Sequence, residues 1–324
     1  MTAIAVNEPL RYRLKVATGI GLSVIVAVAC LLAGRRLTST SWPLQDTNVG
    51  LVIAAAGAYL ASFFLRALGW QRLFRGERPD RSRCLAACGA AAASGLVLPF
   101  RLDYIVKIST LRRLGGVRLG LETVALSIIS LGLVDAVAML PLAITAISTS
   151  GAIFIAPLTV VLLFCLGCIG VLILGPRLAR LPLVSRSERV ESLFARVGQN
   201  VGMSRATFVA GLFLFGCWTT RALGSTLLLS ALGVGFTPTI ALVVVCLAAA
   251  ASILPITAGG ALVSVGATSA VLLGLGVSQA AAINFSLASG MLLTSSALVA
   301  AVVGVGGSLY FTLQRRRYAR ATNG

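Results

Sequence analysis

What most constrains this chain is a succession of apolar blocks, at 16–33, 49–65, 84–100, 119–147, 153–174, 207–232, 239–254, 261–275 and 280–310, separated by short polar stretches. A helix needs about 20 mostly apolar residues to cross a hydrocarbon layer roughly 30 Å thick. No water reaches that layer to satisfy backbone N–H and C=O groups, so each block must pair its backbone internally. Hydrophobic residues make up 58% of the chain and charged residues 11%. Soluble domains carry roughly 25% charge, so this chain lacks the polar surface that water would demand. The composition therefore predicts one integral membrane domain over 1–324, with 175–206 as the longest interior polar loop.

The formal charge is +18, from 27 Lys and Arg against 9 Asp and Glu. Nucleic-acid binders gather such charge on a polar face. Here it falls between apolar blocks: Arg11 to Lys15, Arg66 to Arg83, Arg112 to Arg118, Arg177 to Arg205, and Arg315 to Arg320. That is the pattern of cytoplasmic loops held against an anionic leaflet, so no nucleic-acid partner is expected. There is no His, which removes His-based catalysis and His metal sites. The seven Cys are scattered through apolar segments and read as small buried residues rather than metal ligands. The basic N-terminus before 16–33 is similar to a secretory signal, but with so many spans following, an uncleaved first span is expected.

Charge parity then shapes the topology. Cys84 follows one basic cluster and Leu119 follows another, so the segment between enters and leaves on the same side. This predicts a hairpin over 84–114 with its tip at Leu98-Pro99-Phe100. Irregular backbone at that depth requires protein or a water-filled cavity around it. The segment 239–276 repeats the arrangement from the opposite face, with a tip at 254–260 broken by Pro255 and the pair Gly259-Gly260; two complete spans joined by a turn are the alternative. The fold class expected is all-α: a polytopic membrane helix bundle of about six full spans plus two re-entrant or broken hairpins. Two hairpins entering from opposite sides suggest an inverted repeat, as in many transporters. Both termini are then cytoplasmic.

Ionisable groups at membrane depth cost about 2.5–3.5 kcal/mol on insertion scales, and usually face a cavity or a partner. Those singled out are Arg101, Asp103, Lys107, Glu122, Asp135 and Arg221. Arg101 and Lys107 suit a lipid phosphate, Arg through its planar donor fork and Lys as a mobile point charge. The alternative is an interfacial cluster that snorkels. Asp135 and Arg221 lie near the middle of their blocks, and pairing them would neutralise both. Glu122 sits close to Arg118 and reads as interfacial. At the second tip Thr257, Gly259, Gly260 and Ser264, together with Asn284, offer uncharged hydrogen-bonding groups, though such residues also pack membrane helices.

At the two tips the sequence resembles the flippase-like transmembrane family related to the membrane domain of lysylphosphatidylglycerol synthase. Leu65-Arg66-Ala67-Leu68-Gly69-Trp70-Gln71-Arg72-Leu73 is similar to that family's Arg/Trp stretch. Leu98 through Lys107 is similar to its P-G-R-A-G-E-hydrophobic-hydrophobic-R motif, and Leu254 through Val265 to its P-x-P-G-G-L-G-V-x-E motif. Gly276-Val277-Ser278 matches a G-V-P-like turn. The resemblance covers nearly the whole chain in order. Tyr104 stands where the first motif has an acid, with Asp103 one position early, and Val265 takes the acidic place in the second. Leu131 and Gly132 replace a Glu-Arg pair, while Asp135 remains.

The resemblance implies flipping of an anionic lipid or lipid-linked amphiphile between leaflets in a prokaryotic cytoplasmic membrane. The expected substrate contacts are Arg101, Asp103, Tyr104, Lys107, Pro255, Thr257, Gly259 and Gly260, and the expected partners are a phospholipid or a polyprenyl-linked lipid and the anionic lipids of the leaflet. No cofactor or metal is implied. Alternatives are a non-transporting accessory membrane subunit, favoured by the lost family charges, and an enzyme acting on a lipid-linked donor. The enzyme reading lacks a paired acid and base.

Overall fold

The computed structural model describes residues 47–74, 78–95, 102–114, 119–178, 204–253 and 260–322. These form α1 (Val49–Arg72), α2 (Arg81–Gly95), α3 (Asp103–Arg113), α4 (Leu121–Thr149), α5 (Ala152–Leu178), α6 (Arg205–Ala231), α7 (Pro238–Ile253), α8 (Gly260–Gly274) and α9 (Gln279–Thr322), with no strand among the described residues. Five of them are long and apolar enough to cross a bilayer: Val49–Arg72, Leu121–Thr149, Ala152–Leu174, Arg205–Ala231 and Gln279–Gln314. The protein is a polytopic helical membrane bundle. The span expected at 16–33 and most of the 175–206 loop lie outside the described residues.

The helices begin and end where local chemistry dictates. The Asn48 side chain accepts from the backbone N–H groups of Gly50 and Leu51 and so caps α1, and Ser204 caps α6 through the Thr207 N–H. Gly233 and Gly276 take positive φ of 78° and 82° just past the ends of α6 and α8, where a Cβ would strain the turn. The 44 residues of α9 span about 66 Å at 1.5 Å per residue, twice the hydrocarbon thickness. This helix is therefore longer than a single crossing requires.

Two helical hairpins are shorter. At 15 and 11 residues, α2 and α3 reach only about 22 and 16 Å. They run antiparallel: the end of α2 at Gly95 meets Asp103 at the start of α3, while Arg83 near the start of α2 donates to the Leu111 carbonyl near the end of α3, at 3.2 Å. Arg83 is buried, which corrects its placement among loop arginines; its guanidinium ties the mouth of the hairpin together. The second hairpin, α7 and α8, has 16 and 15 residues, and Leu272 near its end packs with Ala241 and Val244 near its start.

Hairpin one is seated against α9. The two helices cross antiparallel through small residues, because Gly89 faces Ala297 and Ala301 while Gly304 and Gly307 face Ser82 and Ala86. A Cβ at Gly89 or Gly304 would overlap the opposing backbone. Since α2 starts beside the tail-bearing end of α9, the hairpin opens on the same side as the C-terminal arginines.

The widest helix interface joins α1 to α6. They pack antiparallel in a register set by glycines: a Cβ at Gly69 would lie 3.1 Å from the Ala210 carbonyl oxygen, and one at Gly224 would lie 3.3 Å from that of Ala55. Adding 155 to the first pair, 69 and 55, gives the second, 224 and 210. The interface is thus related to itself by a two-fold operation, and its midpoint falls at Ser62 and Cys217. The same exchange maps α2 onto α7, α3 onto α8 and α4 onto α9. It holds in the packing: α2 lies on α9 as α7 lies on α4, and α1 touches α9 as α6 touches α4. The two halves of the described bundle thus correspond in helix order and packing.

A buried cationic cluster at the helix crossing

Asp135 is the midpoint of the 29-residue α4 and is buried. Its carboxylate accepts from Arg66 Nη2 at 2.6 Å and from Trp218 Nε1 at 2.9 Å. It therefore joins α4 to both α1 and α6. The expected Asp135–Arg221 pair is corrected: Arg66 takes the carboxylate, and this is the one ion pair among the described residues. The physical reason is the antiparallel crossing. Arg66 and Arg221 each lie four residues beyond the midpoint, at Ser62 and Cys217, but in opposite directions along the bundle. That puts each about 6 Å from the midpoint along the helix axes, and α4 offers its one buried acid, Asp135, to the α1 side.

Arg221 is half-buried and approaches a different set of groups. Its Nε donates to Ser62 Oγ at 3.2 Å, and Ser62 in turn donates to the Tyr59 carbonyl at 2.6 Å. The guanidinium lies 5.2 Å from the Trp218 ring centroid and 5.5 Å from that of Phe63. Arg66 stands 5.9 Å from the same Trp218 ring. These distances favour attraction between each cation and the ring faces. Nearby, the Tyr59 hydroxyl and Ser225 Oγ share a hydrogen bond at 3.1 Å across α1 and α6.

Lys107, on α3 of the first hairpin, is the third cation. It is buried, with Nζ 4.5 Å from the Trp70 ring centroid. Trp70 is itself fixed, because its Nε1 donates to Ser127 Oγ at 3.2 Å and Ser127 donates on to the Val124 carbonyl at 2.8 Å. Lys107 lies within electrostatic reach of Arg66, Asp135 and Asp103. Asp103 is half-buried at the start of α3, and Tyr104 beside it is exposed. Glu122 sits in the first turn of α4, exposed.

The structure thus draws Lys107, Asp135 and Arg221 around the α1–α6 crossing and leaves Tyr104 and Glu122 at the periphery. Arg101, Pro255, Thr257 and Gly259 lie outside the described residues, and Gly260 is the first residue of α8. Two members of the cluster escaped the sequence reading. Arg66 was assigned to a loop cluster because the apolar block stops at Leu65, yet α1 continues to Arg72. Trp218 carries no signal in a hydropathy scan. A signal for Arg66 did exist: Arg66-Ala67-Leu68-Gly69 recurs unchanged as Arg221-Ala222-Leu223-Gly224, 155 positions on (221 − 66). It is the same repeat that the helix packing obeys.

The six described cysteines are buried and unpaired, and no His, Cys, Asp or Glu group among the described residues could hold a metal ion. At this depth the chemistry available is electrostatic. Among the described residues Arg66, Lys107 and Arg221 stand against one buried carboxylate, that of Asp135, and an excess of cation inside an apolar bundle attracts an anion.

The described residues form a helical membrane bundle with two short helical hairpins and ionisable groups at the α1–α6 crossing. The family model described as the lysylphosphatidylglycerol synthase TM region matches residues 16–294, and the chain belongs to that family. Comparison with curated proteins and with solved structures returns no match.

Proposed function

We propose that the protein moves an anionic lipid or a lipid-linked amphiphile between the leaflets of a membrane. The observation that carries this reading is the unbalanced cationic cluster at the α1–α6 crossing, reached by Lys107 from hairpin one. An anionic head group entering there exchanges its hydration for Lys107 and the arginine donors, while its tails stay in lipid. The family's description names a charged phospholipid product, which supports a lipid as the cargo class. The inverted repeat supplies two equivalent halves, and rocking one against the other alternates access to a fixed site. The basic loops support a reading in which the hairpin-one mouth faces the cytoplasm of a prokaryotic inner membrane, with both termini inside. We read the chain as a transporter rather than an enzyme, because Asp135 is engaged by Arg66 and Trp218 and so is a poor general base.

The second reading is an accessory subunit that positions a partner in the membrane. Val265, Leu131 and Gly132 favour it, since they stand where the family pattern has charge. The test is a transfer assay in vesicles of neutral lipid, doped with fluorescent anionic or zwitterionic lipids or polyprenyl phosphates. Head-group-selective transfer, cut at least tenfold by Lys107→Ala in folded protein, is expected. Well-folded protein that transfers none of the panel turns the assignment to the accessory subunit.

A further inference from the structure

The two copies of Arg-Ala-Leu-Gly are not used alike. Arg66 closes onto Asp135 of α4. The helix that corresponds to α4 in the second half is α9, and its entire sequence, Gln279–Thr322, contains no Asp or Glu. Accordingly Arg221 has no carboxylate within ion-pair distance among the described residues. Everything else about it is prepared. Ser62 holds Nε, and Phe63 and Trp218 lie against the guanidinium. The symmetry even extends to the rings, because adding 155 to Phe63 gives Trp218, and each arginine rests on the aromatic residue of the opposite helix. With Nε engaged, the two Nη groups remain as a planar donor fork that makes no hydrogen bond to a described residue. Such a fork matches two oxygens of one phosphate or carboxylate.

We propose that Arg221, oriented by Ser62 and flanked by Phe63 and Trp218, is an anion-binding site for a phosphate group, which sits on Arg221 as Asp135 sits on Arg66. The shared chemistry is an oxyanion with two oxygens in the guanidinium plane. It is carried either by a lipid head group or by free phosphate. On the transport reading, which this inference deepens, Arg221 is the second station of the path. It lies on the opposite side of the crossing from Arg66, toward the end of α6 that leads to hairpin two. A head group passing the midpoint leaves the Lys107 side and arrives here.

The experiment is isothermal titration calorimetry of the full chain in neutral maltoside micelles. Dioctanoyl-phosphatidylglycerol is the lipid probe, dioctanoylglycerol the uncharged control and inorganic phosphate the free-anion probe. The wild type is expected to bind the charged lipid saturably and the uncharged one not at all. Arg221→Gln is expected to remove one site from the isotherm or raise its Kd at least tenfold. Arg221→Lys keeps the charge without the fork and is expected to weaken binding a few-fold, which keeps the proposal testable if the Gln variant folds poorly. Inorganic phosphate binding with the same dependence on Arg221 supports the site and assigns it to a soluble anion. No saturable binding to the wild type, or a folded Arg221→Gln isotherm that superimposes on it, overturns the site. Arg221-dependent binding without lipid transfer in vesicles sinks the transport reading and leaves the site. Transfer with Arg221-independent binding does the reverse.

Discussion

Replacing Asp135 by Ala is the perturbation whose consequence follows most directly from the geometry. The side chains of Asp135 and Arg66 are only 11% and 21% exposed, so neither charge is well screened by solvent. Removing one partner of a buried pair leaves the other charge uncompensated and costs about 3–5 kcal/mol. The Trp218 N–H loses its acceptor as well, a further desolvation penalty of about 1–3 kcal/mol that overlaps with the first because the groups share one site. The expected loss is therefore about 4 kcal/mol, read by equilibrium unfolding in mixed micelles. Arg66→Met alone is expected to cost a similar amount, by stranding Asp135. The double variant Asp135→Leu with Arg66→Met removes both charges and is expected to recover most of the loss, with a coupling of at least about 2 kcal/mol. Arg221→Met supplies the contrast: it strands no carboxylate, so its effect on stability is expected to lie within about 1 kcal/mol of zero, the lost Ser62 hydrogen bond and cation–ring contacts being offset by relief from burying a charge and by Met packing on Phe63 and Trp218. The reasoning is refuted if the single Asp135 and Arg66 variants stay within 0.5 kcal/mol of wild type, or if the double variant falls by the sum of the two, with about 0.5 kcal/mol as the additivity limit.

Two further outcomes are expected. Gly89→Leu and Gly304→Leu drive a side chain into the opposing backbone of the α2–α9 crossing, so each is expected to lose about 3 kcal/mol or more of stability; Gly132→Ala and Gly170→Ala, with nothing within 4 Å, are expected to be neutral or to gain up to about 1 kcal/mol in the same unfolding assay. Lys107→Met removes a buried cation that has no ion-pair partner among the described residues, and is expected to hold or raise stability while lipid transfer falls at least tenfold; a variant that unfolds instead would show that Lys107 is a structural group.

Much of the architecture was legible in the linear order of residues, because hydrophobic length and loop charge are local properties. A block of apolar residues is a span whatever it packs against, and a basic loop prefers one face of the membrane regardless of the rest of the fold. Those two facts were enough for the class and for the five described spans.

The partners of the charges are another matter. Arg66 looks like the first residue of a basic loop when read along the chain, since a hydropathy block ends at the first charge it meets. Whether an arginine at that position is solvated or buried depends on what faces it, and what faces it is Asp135 at a separation of 69 residues and Trp218 on a third helix. Asp135 sits where either arginine is a chemically equal mate, so composition cannot choose between them. The antiparallel register of α1 on α6 chooses, because it sends the two identical arginines to opposite sides of the crossing while α4 brings one acid to one side. Position along the chain sets how far a residue lies into the bilayer; which charge meets which is set by how the helices cross, and that comes from close packing at Gly69 and Gly224.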